Sequence, residues 1–248
     1  MSLGYVWLSY IYMYGQTVAA GVLLVLAIVI LCMKDSYTKV LGLAFLAGAL
    51  NVLLSFSINP ILARSFSATD SKRIVVMSYI CTIAGLLFEV FLMLYAKIRY
   101  NSKGLLSVIG LRVLCHVIIY FYNSHRLSAV MGLSPDKARV KTIQYEYSLR
   151  TITAVFSIAI IAIIYDAYKK NRDFDNLLPK IYMLPMLIML IQFVLCAFYV
   201  YGIFVVPTAK GSDTNQSIDV ICKFILIAKY VMYCVFAAYI IKREKEVL

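Results

Sequence analysis

A chain of 248 residues that is 63% hydrophobic and only 15% charged, with a mean hydropathy of +0.87, is too apolar for a water-soluble domain, which sits nearer half apolar and a quarter charged. Its net charge of +12 would suggest nucleic acid in a soluble protein. Here the basic residues fall between apolar runs, where they set orientation and meet anionic lipid head groups, so no nucleic-acid partner is expected. The composition points instead to an all-α, polytopic integral membrane protein: a seven-transmembrane-helix bundle forming a single transmembrane domain over 1–248, with no soluble domain of useful size attached.

Seven apolar runs follow one another along the chain: Val6–Met33, Val40–Ile58, Ile74–Ile98, Leu105–Tyr122, Leu149–Tyr168, Ile181–Val206 and Ile218–Ile241. Each is about long enough to cross a hydrocarbon core of ~30 Å at a rise of 1.5 Å per residue. They are too long for strands and lack the alternation of a membrane barrel, which leaves helices as the way to satisfy the backbone in lipid. The first run lacks a basic leader and a cleavage site, so it reads as a span rather than a signal peptide. Tyr5, Trp7, Tyr10, Tyr12 and Tyr14 resemble an interfacial belt at its start.

Asn59-Pro60 is expected to end the second run, and Asn101-Ser102-Lys103-Gly104 to turn the chain between the third and fourth. The longest loop is expected at Asn123–Thr142. Within it, Ser134 or Asp136 would cap a short interfacial helix from Lys137 onward. Pro185 predicts a kink inside the sixth run, and Pro207 closes that run. With the N-terminus outside and the C-terminus cytoplasmic, the inner segments hold twelve Lys and Arg against eight for the outer ones, the bias expected of a multi-pass protein of the plasma membrane. Anionic lipids would then meet the cytoplasmic face, and a homo-oligomer or partner membrane subunit is an open possibility.

Charges inside spans are the informative residues, since each costs a few kcal/mol unless paired or hydrated. Glu89 and Arg112 stand about eight residues from the same hairpin, so both reach a depth of about 12 Å and are expected to pair. His116, four residues past Arg112, shares its helical face. A structural clasp and a proton, ion or anion site are both open readings of this set. Lys229 lies mid-span, too deep to snorkel, and is expected to face the bundle or a wet cavity, toward Glu89. Glu146 and Arg150 are spaced to pair along a helix at the outer end of the fifth span, as are Asp219 and Lys223 at that of the seventh. Gln16, Asn51 and Gln192 read as interhelical glue, and Gly42, Ala44, Gly48, Ala84 and Gly85 as points of close approach.

Asp219-Val220-Ile221-Cys222-Lys223 resembles the Asp-Val-x-x-Lys stretch in the seventh helix of microbial rhodopsins. The resemblance implies seven spans with the N-terminus outside, a retinal Schiff base on Lys223 and Asp219 in its counterion. It covers five residues. Lys223 departs from the family by lying near the outer end of its span, and Trp7 is the only tryptophan where the family's retinal pocket is rich in them.

Two histidines are too few for haem, zinc or di-iron sites. The six cysteines (Cys32, Cys81, Cys115, Cys196, Cys222 and Cys234) all fall in apolar runs without C-x-x-C spacing, against a disulfide framework or zinc site. No H-E-x-x-H, G-x-S-x-G or P-loop occurs. No catalytic, metal or cofactor residues are therefore assigned. Asn215-Gln216-Ser217 forms a glycosylation sequon on an expected outer loop. The leading expectation is a small transport or permeation protein using Glu89, Arg112, His116 and Lys229. The alternatives are a receptor, sensor or accessory subunit acting through a partner, a membrane-embedded lipid-modifying enzyme, and a retinal-binding protein.

Overall fold

A computed structural model of the chain describes residues 3–62, 68–101, 103–130, 132–170, 183–205 and 212–246. Among them are seven helices: α1 (Leu3–Leu31), α2 (Ser36–Leu62), α3 (Ala68–Tyr100), α4 (Gly104–Val130), α5 (Pro135–Lys170), α6 (Met183–Val205) and α7 (Ser212–Glu246). Six contain a stretch long and apolar enough to cross a membrane: Tyr10–Leu31, Ser36–Leu54, Gly104–Tyr122, Val140–Lys170, Met183–Val205 and Ser217–Lys242. The chain is thus a multi-pass helical protein of membrane type. α3 falls outside the six, although its 33 residues would run ~50 Å at 1.5 Å per residue.

The helices follow the expected runs but extend past most of them, because nothing in the flanking sequence stops a helix where the apolar residues stop. The largest correction concerns the predicted loop at Asn123–Thr142. α4 continues to Val130, and α5 starts at Pro135 and runs unbroken to Lys170. Ser134 accepts the first-turn N–H of Ala138 at 2.8 Å through its carbonyl. Pro135 fits the opening position, where a missing N–H leaves no bond unmade. The expected separate interfacial helix is therefore the first part of α5. Gly132, with φ of 83°, makes the turn. Between α3 and α4 the turn is made by Asn101 at φ 51°, a left-handed conformation that asparagine tolerates.

The prolines also differ from expectation. α2 passes through Pro60 to Leu62 rather than ending at Asn59-Pro60; a proline this close to the end removes one i to i−4 bond and leaves only two residues of helix beyond it. Pro185 stands in the first turn of α6, where its missing N–H breaks no helical bond and calls for no kink. Pro207 lies outside the described residues. The sequon at Asn215 sits in the opening turns of α7 rather than in a loop.

Neighbours in sequence are neighbours in space, and α1 also packs against α7, so the helices form a closed ring; α3 reaches across to α5. Small residues set the close approaches. A Cβ on Gly42 would stand 2.9 Å from Leu31 Cγ and 3.2 Å from the Ala27 carbonyl, and one on Gly48 2.9 Å from Phe88. Ala44 and Ala84 are buried alongside. The outer surface is apolar: Leu106 is 79% exposed and Phe204 71%, the pattern of a bundle whose solvent is lipid.

The two ends of the ring differ. At one, Phe45, Tyr95, Tyr100, Tyr168 and Phe236 from α2, α3, α5 and α7 form a chain of ring contacts with centroids 4.9–6.2 Å apart. At the other, the starts of α1, α5 and α7 and the end of α6 bring Tyr12, Tyr147, Arg150, Tyr199, Asp219 and Lys223 together.

Candidate functional site: a polar cavity inside the ring

Between these ends lies a cavity of about 370 Å³ to which all seven helices contribute. Its polar wall comes from helical stripes. On α5, Arg150, Thr153 and Ser157 stand at i, i+3 and i+7, one face of a 3.6-residue helix. Gln192 and Tyr199 on α6 are seven apart, and on α7 Lys229 and Tyr233 are four apart, both pairs facing inward. Asn51 on α2 and Glu89 on α3 complete the set, with Arg112 from α4. Leu23, Phe88, Ile160 and Leu195 make the remainder apolar.

Glu89 and Arg112 are paired in a two-pronged contact. Arg112 Nη2 donates to Glu89 Oε1 at 2.6 Å, and its Nε donates to Oε2. The short turn at 101–103 places the two side chains at matching depth, as their spacing predicts. Both are largely buried, so the guanidinium fork satisfies the carboxylate where water cannot. His116 is an exposed residue on the outer face of α4. Its Nδ1 lies 2.8 Å from the Arg112 carbonyl, and it does not line the cavity.

Lys229 lines the cavity. Its Nζ sits 5.3 Å from the Tyr230 ring centroid, and it interacts electrostatically with Glu89. Among the described residues it forms neither an ion pair nor a hydrogen bond. Gln192 is only 4% exposed, and its Oε1 has no hydrogen-bond partner among the described residues.

The pairs expected along α5 and α7 merge into one ionic cluster. Arg150 contacts Glu146 on its own helix and Asp219 Oδ1 of α7 at 3.7 Å, while Lys223 Nζ holds Asp219 Oδ2 at 2.6 Å. Arg150 also lies 5.9 Å from the ring centroids of both Tyr147 and Tyr199. Lys223 is thereby turned to Asp219 and the Tyr12 ring and is absent from the cavity wall. The lysine facing the ring interior is Lys229.

Sequence reasoning placed Arg150 in a local helix pair only. Its i, i+3, i+7 stripe with Thr153 and Ser157 was the available signal, since three polar residues on one face of a span have no lipid-compatible place but the interior. Among the described residues, no group of three or more His, Cys, Asp or Glu side chains could hold a metal. Compared with known proteins, the chain matches no family model, no curated protein and no solved structure.

Proposed function

We propose that the chain is a small membrane carrier with seven spans, α3 included, whose solute site is the central cavity. The observation that supports this is the convergence of Glu89, Arg112 and Lys229 on one space in the middle of the ring. Charged groups at that depth are costly and ordinarily accompany substrate or ion pathways. Glu89 is the coupling group: it gains and loses its partner Arg112 as the cavity fills and empties. The Arg150–Asp219 contact joins α5 to α7 beside the cavity, and its opening separates those helices to admit solute. The N-terminus lies outside and the Lys242 end of α7 on the cytoplasmic side of the plasma membrane, against anionic lipid, in keeping with the distribution of basic residues.

The test is ion flux in proteoliposomes. Purified protein is reconstituted with a trapped pH dye, and proton movement is followed after an imposed gradient. The carrier reading expects Glu89→Gln to keep its fold and lose coupled flux. A wild-type protein that moves no proton or ion under any gradient overturns it.

A further inference from the structure

The charges around the cavity do not balance. Glu89 and Arg112 neutralise one another. Arg150 belongs to a cluster in which Glu146 and Asp219 offset it and Lys223. Lys229 is left as a cationic group with no anionic partner in contact among the described residues, its Nζ over the face of Tyr230 and its charge felt by Glu89 without an ion pair. An ammonium in that position, surrounded by apolar walls, is stabilised by whatever anion shares the space. A cation would find Glu89 already occupied by a guanidinium fork and would meet Lys229 as a like charge.

A second, independent observation bears on the same space. Beyond its charged groups the wall is largely apolar, with Leu23, Phe88, Ile160 and Leu195 among its lining residues. The volume of about 370 Å³ lies at the lower end of the range for small-molecule pockets. Leu23, Phe88 and Leu195 would face a vacuum or disordered water around a bare halide. They suit a compact organic body.

We propose that the cavity binds a small organic monoanion, its carboxylate at Lys229 and its body against the apolar wall. This rests on reading the cavity as a solute site and names the class of solute. Lys229 supplies the sign of selectivity, and the apolar wall favours an organic anion over an inorganic one.

The experiment uses the full chain in lipid nanodiscs. Binding is measured by thermal shift and equilibrium dialysis with 4-hydroxybenzoate, benzoate, 4-hydroxybenzyl alcohol, 4-hydroxybenzylamine and sodium chloride. Saturable binding of 4-hydroxybenzoate and of benzoate is expected, with the neutral and cationic analogues at least ten-fold weaker. Lys229→Gln is expected to abolish the preference for the anion and Lys229→Arg to retain it. Circular dichroism of each unliganded variant separates lost binding from lost fold, and Lys229→Arg keeps the test open if Lys229→Gln does not fold. Equal affinity for the neutral alcohol, an unchanged preference in well-folded Lys229→Gln, or the same saturation by chloride alone overturns the proposal. Lys229-dependent binding without flux in proteoliposomes overturns the carrier reading and leaves this site standing. Flux that ignores Lys229 does the reverse.

Discussion

Asn51 on α2 donates a 2.6 Å hydrogen bond from Nδ2 to the backbone carbonyl of Cys81 on α3, and the same Nδ2 lies 2.9 Å from where a Cβ on Gly85 would stand. Glycine one turn after Cys81 leaves the room that the amide occupies. Asn51 also lines the cavity, so this bond fixes part of its wall as well as the α2–α3 contact.

Asn51→Leu and Gly85→Ala are therefore expected to destabilise through the same bond. Interhelical hydrogen bonds in membranes contribute roughly 0.6–2 kcal/mol, and each variant should lose about that much in thermal or denaturant unfolding in detergent. The double variant should cost little more than either single, because the second change removes nothing that remains. Strict additivity would mean that the two positions act separately.

Breaking the Glu89–Arg112 pair should cost more. Glu89→Gln and Arg112→Gln each leave a buried charge without its partner, a loss of about 3–5 kcal/mol for pairs of this kind. Exchanging the two residues should recover a large part of it, since the pair joins adjacent helices at one depth. Unfolding midpoints for the two singles and the exchange decide the matter. An exchange no more stable than the singles would show that the fork geometry, not the charge balance, sets the stability.

Close packing by glycine is testable against an internal control. A Cβ at Gly42 would press on Leu31 and the Ala27 carbonyl, whereas one at Gly110 meets nothing within 4 Å. Gly42→Ala should cost about 1–3 kcal/mol, the usual range for overpacking. Gly110→Ala should be neutral or slightly stabilising, because alanine is the better helix former by about 1 kcal/mol. Equal effects on the melting temperature would remove the distinction.

Cys32 offers a reading of orientation. It is exposed just beyond the Tyr10–Leu31 span, while Cys81, Cys115 and Cys222 are buried. An impermeant maleimide should modify Cys32 only after cells are permeabilised if the N-terminus lies outside. Labelling of intact cells that disappears in Cys32→Ser would reverse the orientation.

Much of the helix order was legible in the sequence, because apolar run length reports directly on what lipid permits. The Glu89–Arg112 pairing was legible too, since a three-residue turn fixes depth on both sides of a hairpin. The ends of α4 and α5 were not. Residues 123–142 are polar enough to read as loop, yet a helix leaving the membrane keeps its backbone bonds in water as readily as in lipid. The inward side of Arg150 was hidden for a different reason. A local i, i+4 partner at Glu146 explained it fully in one dimension, while its contact with Asp219 depends on the ring placing α5 and α7 on either side of α6, within side-chain reach. Gln192 was read as glue between helices. Its open acceptor appears only in the folded arrangement, where none of the described residues donates to it.

The contact between α1 and α7 bears on how the molecule is made. As the chain is made, α1 to α6 precede α7, and the ring that they form has a gap until α7 arrives. α7 fills that gap carrying Lys229, a residue whose passage into hydrocarbon costs roughly 2.5–3.5 kcal/mol by translocon-based scales. The charge of Glu89, with which Lys229 interacts electrostatically, lessens this penalty, and it stands on a helix synthesised earlier. The cavity, to which all seven helices contribute, is thus complete only once α7 has joined the other six.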